Sequence, residues 1–359
     1  MKNILVTDDS ALMRSVICDI INQDSRFHVQ DRATNGEEAL NLLMRKSYDA
    51  VVLDVNMPKM NGLELLKVLR EKNISARVVM ASTDTYDGAK TTMDALALGA
   101  IDFVHKPENA RDCREGKFSK RLLEILDTAC MSNPSSFAEE TPDEKKASEE
   151  ATKKFLELAS RSSNAIKGKQ IVAIASSTGG PKALQEVIPK LPKNLKCPVV
   201  LVQHMPAGFT KSLAERLNDL SELEVSEAVD GEVLSPGHAY VAMGGKHLNI
   251  DNANGQFKVR YSDEPAREGV KPSANYMFES LANCSEDKVV CVVLTGMGAD
   301  GTEGIVNLSK KKKVYVIAQD QSSSTVYGMP KAIFNAGLTD TVVPLKNVAS
   351  EIVMNVGVN

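Results

Sequence analysis

The sequence contains no apolar run that approaches bilayer length, so no membrane span is expected. It has no excess of positive charge either. Its 43 Lys and Arg stand against 47 Asp and Glu, for a formal net charge of -4. A general attraction to nucleic acid is therefore unsupported, and no basic helix pair of the DNA-binding kind follows the first domain. The Lys310–Lys313 run falls where a helix should end, so a solvated face favoured by the helix dipole accounts for it. Cysteine is sparse and unpatterned: Cys18, Cys113, Cys130, Cys197, Cys284 and Cys291 show no paired metal-ligand spacing, and several sit inside apolar runs. Buried reduced thiols in a cytoplasmic protein are expected, not a secreted disulfide framework. The opening MKNILVTDDS has too short an apolar core before its aspartates for a signal peptide.

What is present is an ordinary globular composition, 43% hydrophobic and 25% charged over 359 residues, enough for two domains. Residues 1–127 alternate apolar runs (NILVTDD, HVQDRAT, DAVVLDV, ARVVMAS, IDFVHKP) with amphipathic helical patterns, which predicts a five-stranded, doubly wound parallel sheet. Residues 128–168 turn rich in Ser, Glu and Lys and read as a flexible linker, with FLELASRSS as a short helix near its end. From 169 to 359 a second alternation begins with QIVAIAS, PVVLVQH, HAYVAM, KHLNI, KVRYS, VVCVVLTG and VYVIAQD. That predicts a second doubly wound, mainly parallel α/β domain, with the 233–261 region as antiparallel hairpins.

In open parallel sheets, function collects at the carboxyl ends of the strands. In the first domain those ends carry Asp8-Asp9, Asp54, Ser82 and Lys106-Pro107. Any one aspartate there could be a turn former. Carboxylates converging from separate strands need a hard cation, and Mg²⁺ suits such oxygen donors. Lys106 and Ser82 suit an anion carried on Asp54.

In this pattern residues 1–127 resemble the receiver domain of two-component response regulators. The resemblance implies Asp54 as phosphoacceptor and Asp8 and Asp9 as Mg²⁺-binding acids, with Asn56 lending its backbone carbonyl. It also implies Ser82 and Lys106 as phosphoryl contacts, with Thr83 a rival for the Ser82 role, and Phe103 as the switch aromatic.

In the second domain, the strand QIVAIAS breaks at IASSTGGPKAL. No G-x-G-x-x-G fingerprint or Lys-Ser/Thr ending marks it as a phosphate loop. A G-x-S-x-G elbow is half matched with Ser177 at its centre, while Ser176 matches nothing; capping the next helix would suit either serine. Of the five histidines, His204 ends a buried strand at PVVLVQH, where it could serve as base. His238 and His247 fall in a polar region where exposure is expected. Asp300, in the glycine-rich loop of VVCVVLTGMGADG, could orient the base or cap the following helix. The Met297 amide in the same loop could join an oxyanion hole. The order Ser, His, Asp differs from that of α/β-hydrolases.

SSTGGPKAL, VLVQHMPAGFT, GHAYVA, LTGMGADG, AQDQSSSTVYGMP and AIFNAGLTDTVVPL resemble the catalytic domain of the chemotaxis protein-glutamate methylesterases, the CheB family. A receiver tethered to that domain is the family's architecture. The resemblance selects Ser177 as nucleophile, completes the triad with His204 and Asp300, and places Thr178 in the pocket beside the Met297 amide. It implies demethylation of glutamate methyl esters on chemoreceptors with release of methanol, deamidation of receptor glutamines, no cofactor for hydrolysis, and a chemotaxis histidine kinase as phosphodonor. Ala175-Ser176 stands where Gly-Ala is usual, which leaves Ser176 as a bystander. Ala242-Met243-Gly244 replaces Ala-Pro-Gly. VKPSAN at 270–275 departs from His-Arg-Pro-Ser-Val-Asp, which bears on substrate contacts and is not expected to touch the triad. Two other readings are a non-enzymatic regulator with a binding module, and a serine hydrolase for a different protein ester or amide.

Overall fold

Short apolar runs with polar ends become strands throughout the chain. The computed structural model describes residues 1–82, 86–107, 116–132, 168–285 and 287–358, and divides into two units, Met1–Glu139 and Glu140–Asn359. The linker expected over 128–168 lies largely outside the described residues. FLELASRSS and Thr83 lie wholly outside them.

The first unit runs β1 (Lys2–Thr7), α1 (Ala11–Gln23), β2 (Phe27–Ala33), α2 (Gly36–Leu43), β3 (Ala50–Asp54), α3 (Gly62–Glu71), β4 (Val78–Ser82), α4 (Tyr86–Ala97), β5 (Asp102–His105) and α5 (Lys117–Met131). Side-chain caps start the first three helices. Ser10, Asn35 and Asn61 accept from the Met13, Glu38 and Glu64 amides, and Glu64 returns a bond to complete a capping box. The sheet is parallel in the order β2-β1-β3-β4-β5. The chain leaves β1 for one neighbour and returns on its other side to β3. That reversal opens a crevice at the carboxyl ends of β1 and β3.

The second unit runs β6 (Gln170–Ser176), α6 (Gly180–Val187), β7 (Val199–Gln203), α7 (Phe209–Leu220), β8 (Glu224–Glu227), β9 (His238–Val241), β10 (His247–Ala253), β11 (Gln256–Ser262), α8 (Ala274–Ser280), β12 (Lys288–Val293), α9 (Thr302–Ser309), β13 (Val314–Gln319), α10 (Met329–Asn335), β14 (Thr341–Val343) and α11 (Leu345–Val356). Seven strands form one parallel sheet in the order β14-β13-β12-β6-β7-β9-β8. All seven residues of β6 are buried, as a central strand covered on both faces requires. Each fully buried Val or Ile there contributes about 1.5–3 kcal/mol over an exposed one.

The hairpin expectation holds for β10 and β11, which form a separate antiparallel pair. It fails for β9, which joins the main sheet parallel to β7. Strand partners depend on what the chain meets after a crossover, which local pattern does not encode. Here the switch point falls between β6 and its neighbours β12 and β7, at the IASSTGG corner.

Candidate functional site

Register brings the second cluster together. Ser176 pairs with Gln203, so Ser177 and His204 emerge from adjacent strand ends, and the Ser177 amide donates to the Thr295 carbonyl beyond β12 at 3.0 Å. The turn into α6 is close-packed. Gly179 has φ of 77°, and a Cβ there would fall 2.5 Å from Thr325, so glycine is needed for both conformation and space. Pro181 starts the helix.

His204 Nε2 lies 2.7 Å from Asp300 Oδ2. Because a carboxylate only accepts, Nε2 carries the proton and Nδ1 is left as the basic nitrogen. Ser177 and Asp300 are 4% and 3% exposed, so this is a desolvated corner.

Asp300 does not cap the helix that follows it. That cap position belongs to Gly301, and Asp300 instead faces the start of α8. There it accepts from Ser273 Oγ at 2.6 Å, the Ala274 amide at 2.6 Å and the Asn275 amide at 3.1 Å. In return, Asn275 Oδ1 accepts from the amides of Gly301 and Gly304 at the start of α9, at 3.0 and 2.6 Å. Two helices thus exchange caps, and the exchange immobilises Asp300. Burial pushes the Asp300 carboxyl up, but the His204 hydrogen bond and charge, Ser273 and Ala274 together bring it below the ordinary range.

Two expectations are corrected by this geometry. The 270–275 segment does touch the triad, through the three donors on Asp300. His247 is fully buried, not exposed: its Nδ1 accepts from the Ser273 amide at 3.1 Å and its Nε2 faces the Pro265 carbonyl at 3.1 Å. His238 is partly buried, stacked 4.0 Å from the Tyr240 ring. Ser176, expected as a bystander, has a buried partner: its Oγ donates to Gln203 Oε1 at 2.7 Å. Thr178 is buried, with its carbonyl accepting from Thr295 Oγ1 at 3.0 Å, while Met297 is 42% exposed. Ser273, Gln203 and His247 carried no local signal, because each acts through partners distant in the chain.

In the first unit, the carboxylates of Asp8, Asp9 and Asp54 place oxygens within 4.8 Å of one another. Lys106 Nζ lies 2.6 Å from Asp54 Oδ1 and 3.2 Å from Asp8 Oδ2. Burial pushes the Asp54 carboxyl up to about 6; Lys106 opposes this rise, while Asp8 and Asp9 add to it. Asp8 is raised as well, by burial against the pull of Lys106. A hard oxygen-donor set left under-neutralised fits a divalent cation such as Mg²⁺. Ser82 is buried at the end of β4, where its Oγ accepts from Thr92 Oγ1 at 2.8 Å. Phe103 is buried on β5, and Asn56 is exposed just beyond β3. No helix among the described residues is long and apolar enough to cross a membrane.

Comparison with known proteins is consistent with both pockets. A family model described as CheB methylesterase matches residues 172–352, and one described as response regulator receiver domain matches residues 4–115. The protein-glutamate methylesterase/protein-glutamine glutaminase of Bacillus licheniformis is 42% identical over 352 residues, covering 98% of each chain. That of Geobacillus kaustophilus is 40% identical over 355 residues, covering 99% of this chain and 98% of its own. The crystal structure of the Thermotoga maritima CheB methylesterase catalytic domain superposes with a TM-score of 0.50 at 42% identity, covering 52% of this chain and 98% of that domain.

Proposed function

The chain belongs to the CheB methylesterase family, and from that premise we propose that it is a protein-glutamate methylesterase activated by phosphorylation of its receiver unit. The observation that carries this reading is the buried His204–Asp300 pair at 2.7 Å, one strand over from Ser177. Residues 169–359 perform the hydrolysis. His204 Nδ1 takes the Ser177 proton as Ser177 Oγ attacks the γ-carbonyl carbon of a glutamate methyl ester on a chemoreceptor. The Met297 amide faces the developing oxyanion, and Thr178 lines the pocket. Methanol leaves with the proton from His204, and water, deprotonated by the same imidazole, releases glutamate and restores Ser177. With a glutamine substrate the leaving group is ammonia. Asp300 stays ionised and stabilises the imidazolium.

In the receiver unit, the Asp54 carboxylate attacks the phosphorus of a phosphohistidine on a chemotaxis kinase, and the histidine leaves. Asp8, Asp9, Asp54 and the Asn56 carbonyl would hold Mg²⁺, which supplies charge neutralisation at the phosphoryl oxygens. Lys106 and Ser82 contact those oxygens, and Phe103 relays the change. The acyl phosphate raises the activity of the esterase in the cytoplasm. The test is methanol release from methylated chemoreceptor membranes, with and without a small phosphodonor plus Mg²⁺. Stimulated release that disappears in Ser177→Ala is expected. Full release by Ser177→Ala would overturn the assignment.

A further inference from the structure

One buried amide touches the main chain of both the nucleophile and the base. Gln203 Nε2 donates to the Ser177 carbonyl at 2.9 Å and reaches the His204 carbonyl at 3.4 Å. Its Oε1 accepts from Ser176 Oγ at 2.7 Å. Ser176 and Gln203 are 0% and 2% exposed, so water cannot replace either partner. The space around the amide is equally restricted. A Cβ on Gly180 would fall 2.0 Å from Gln203 Oε1, so the first residue of α6 is in direct contact with it.

We propose that Gln203, with its amide oxygen held by Ser176, is a positioning residue that keeps the Ser177 and His204 main chains in their reactive register. A carboxamide can flip end for end, and only one orientation presents N–H to the two carbonyls. The opposite orientation would set Oε1 against the Ser177 carbonyl, oxygen facing oxygen. The two carbonyls only accept and so select the productive orientation, in which the Ser176 hydroxyl donates to Oε1 and satisfies the other end of the amide. The Ser177 carbonyl also accepts from the Gly180 amide at 2.7 Å, so the serine turn is pinned from the helix side and from the β7 side together. Meanwhile the His204 amide donates to the Ser176 carbonyl at 3.2 Å, which joins the two strand ends at the same level. Ser176 is thus a departure from the family motif that has a structural partner. Loss of this clamp leaves every reacting group present but loosens the spacing between Ser177 and His204, and misplacement on the ångström scale can cost about 10²-fold in rate.

This inference rests on the esterase reading above, and its test separates the two. The phosphodonor-activated full chain is assayed for methanol release from methylated chemoreceptor membranes as Ser176→Ala, Gln203→Met, the double variant and Ser177→Ala. Ser176→Ala is expected to lower kcat about 10-fold and Gln203→Met about 100-fold, with KM within about twofold. Because the two residues act as a unit, the double variant is expected to be no slower than Gln203→Met alone. A purely structural role would lower the thermal midpoint without this kcat-only, non-additive pattern. Full kcat in Ser176→Ala, a loss carried by KM, or a double variant slowed by the product of the single effects would overturn the inference while an inactive Ser177→Ala preserves the esterase reading. An active Ser177→Ala would overturn both. Ser176→Ala adds no atom to the core, so it carries the test alone should Gln203→Met fail to fold.

Discussion

Both units bury a carboxylate at the carboxyl edge of a parallel sheet, yet the two carboxylates shift in opposite directions. Asp300 is held below the ordinary range because the charge and hydrogen bond of His204, with donors from Ser273 and Ala274, outweigh its burial. Asp54 is pushed up to about 6 because burial, with Asp8 and Asp9 alongside, outweighs the one lysine between them. At Asp300, protein groups outweigh the cost of burying the charge. At Asp54, Lys106 does not offset burial and the neighbouring carboxylates. One architecture can therefore carry the two proposed roles, catalysis and switching, and the balance of donors against carboxylates distinguishes the two clusters.

The comparison is tested most severely where the expected effect is largest. Ser177→Ala should cut methanol release by about 10⁴–10⁶-fold, whatever the state of Asp54. Asp300→Asn should lower kcat by about 10⁴-fold at nearly unchanged KM, because the base loses its orienting charge while the cap exchange largely survives. Gly328→Ala probes the oxyanion side. A Cβ there would fall 2.5 Å from the Gly296 carbonyl and 3.2 Å from Met297 Cα, so the Met297 amide must shift. Loss of that donor should cost about 10²–10³-fold in kcat. Asp54→Asn should spare basal release and abolish stimulation by a small phosphodonor, a loss of up to about 100-fold for an active form that phosphorylation raises from about 1% to about 99% of the population.

The smallest effects concern stability. Mg²⁺ should stabilise the receiver unit by about 2.7 kcal/mol at a hundredfold excess over Kd, read as a higher thermal midpoint that EDTA reverses, with the esterase transition unmoved. For Asp300 the folded pKa lies below the unfolded one. The stability it contributes is therefore present above the unfolded value near 3.8 and is lost as pH falls through the lower folded value. Ser273→Ala removes one donor, so acid unfolding of the esterase unit should move to higher pH, as followed by circular dichroism.

Much of the site was legible because parallel strands advertise their ends. QIVAIAS matches β6, and the serines, His204 and the GMGADG loop sit just past buried apolar runs where polar residues have no packing reason to be. Other features were not legible for identifiable reasons. β8 and β14 have mostly half-exposed residues and no apolar run, so periodicity misses them. β9 looked like part of a hairpin because its pairing with β7 is decided by a crossover. His247 lies in a polar sequence yet is wholly buried, since its neighbours come from Pro265, Ser273 and Tyr276.

The amino-acid order alone determined two α/β units, the strand ends at which their chemistry collects, and, through family resemblance, the choice of Ser177 over Ser176. Only the tertiary structure decided which His204 nitrogen faces Asp300, that Ser273 and the start of α8 hold that carboxylate, and that Ser176 is tied to Gln203. The physical reason is the range of the interactions. Burial of a strand is written into a few consecutive side chains. A buried hydrogen bond needs a partner of matching polarity at about 3 Å, and here the partners of Asp300 come from 25 to 96 residues away along the chain.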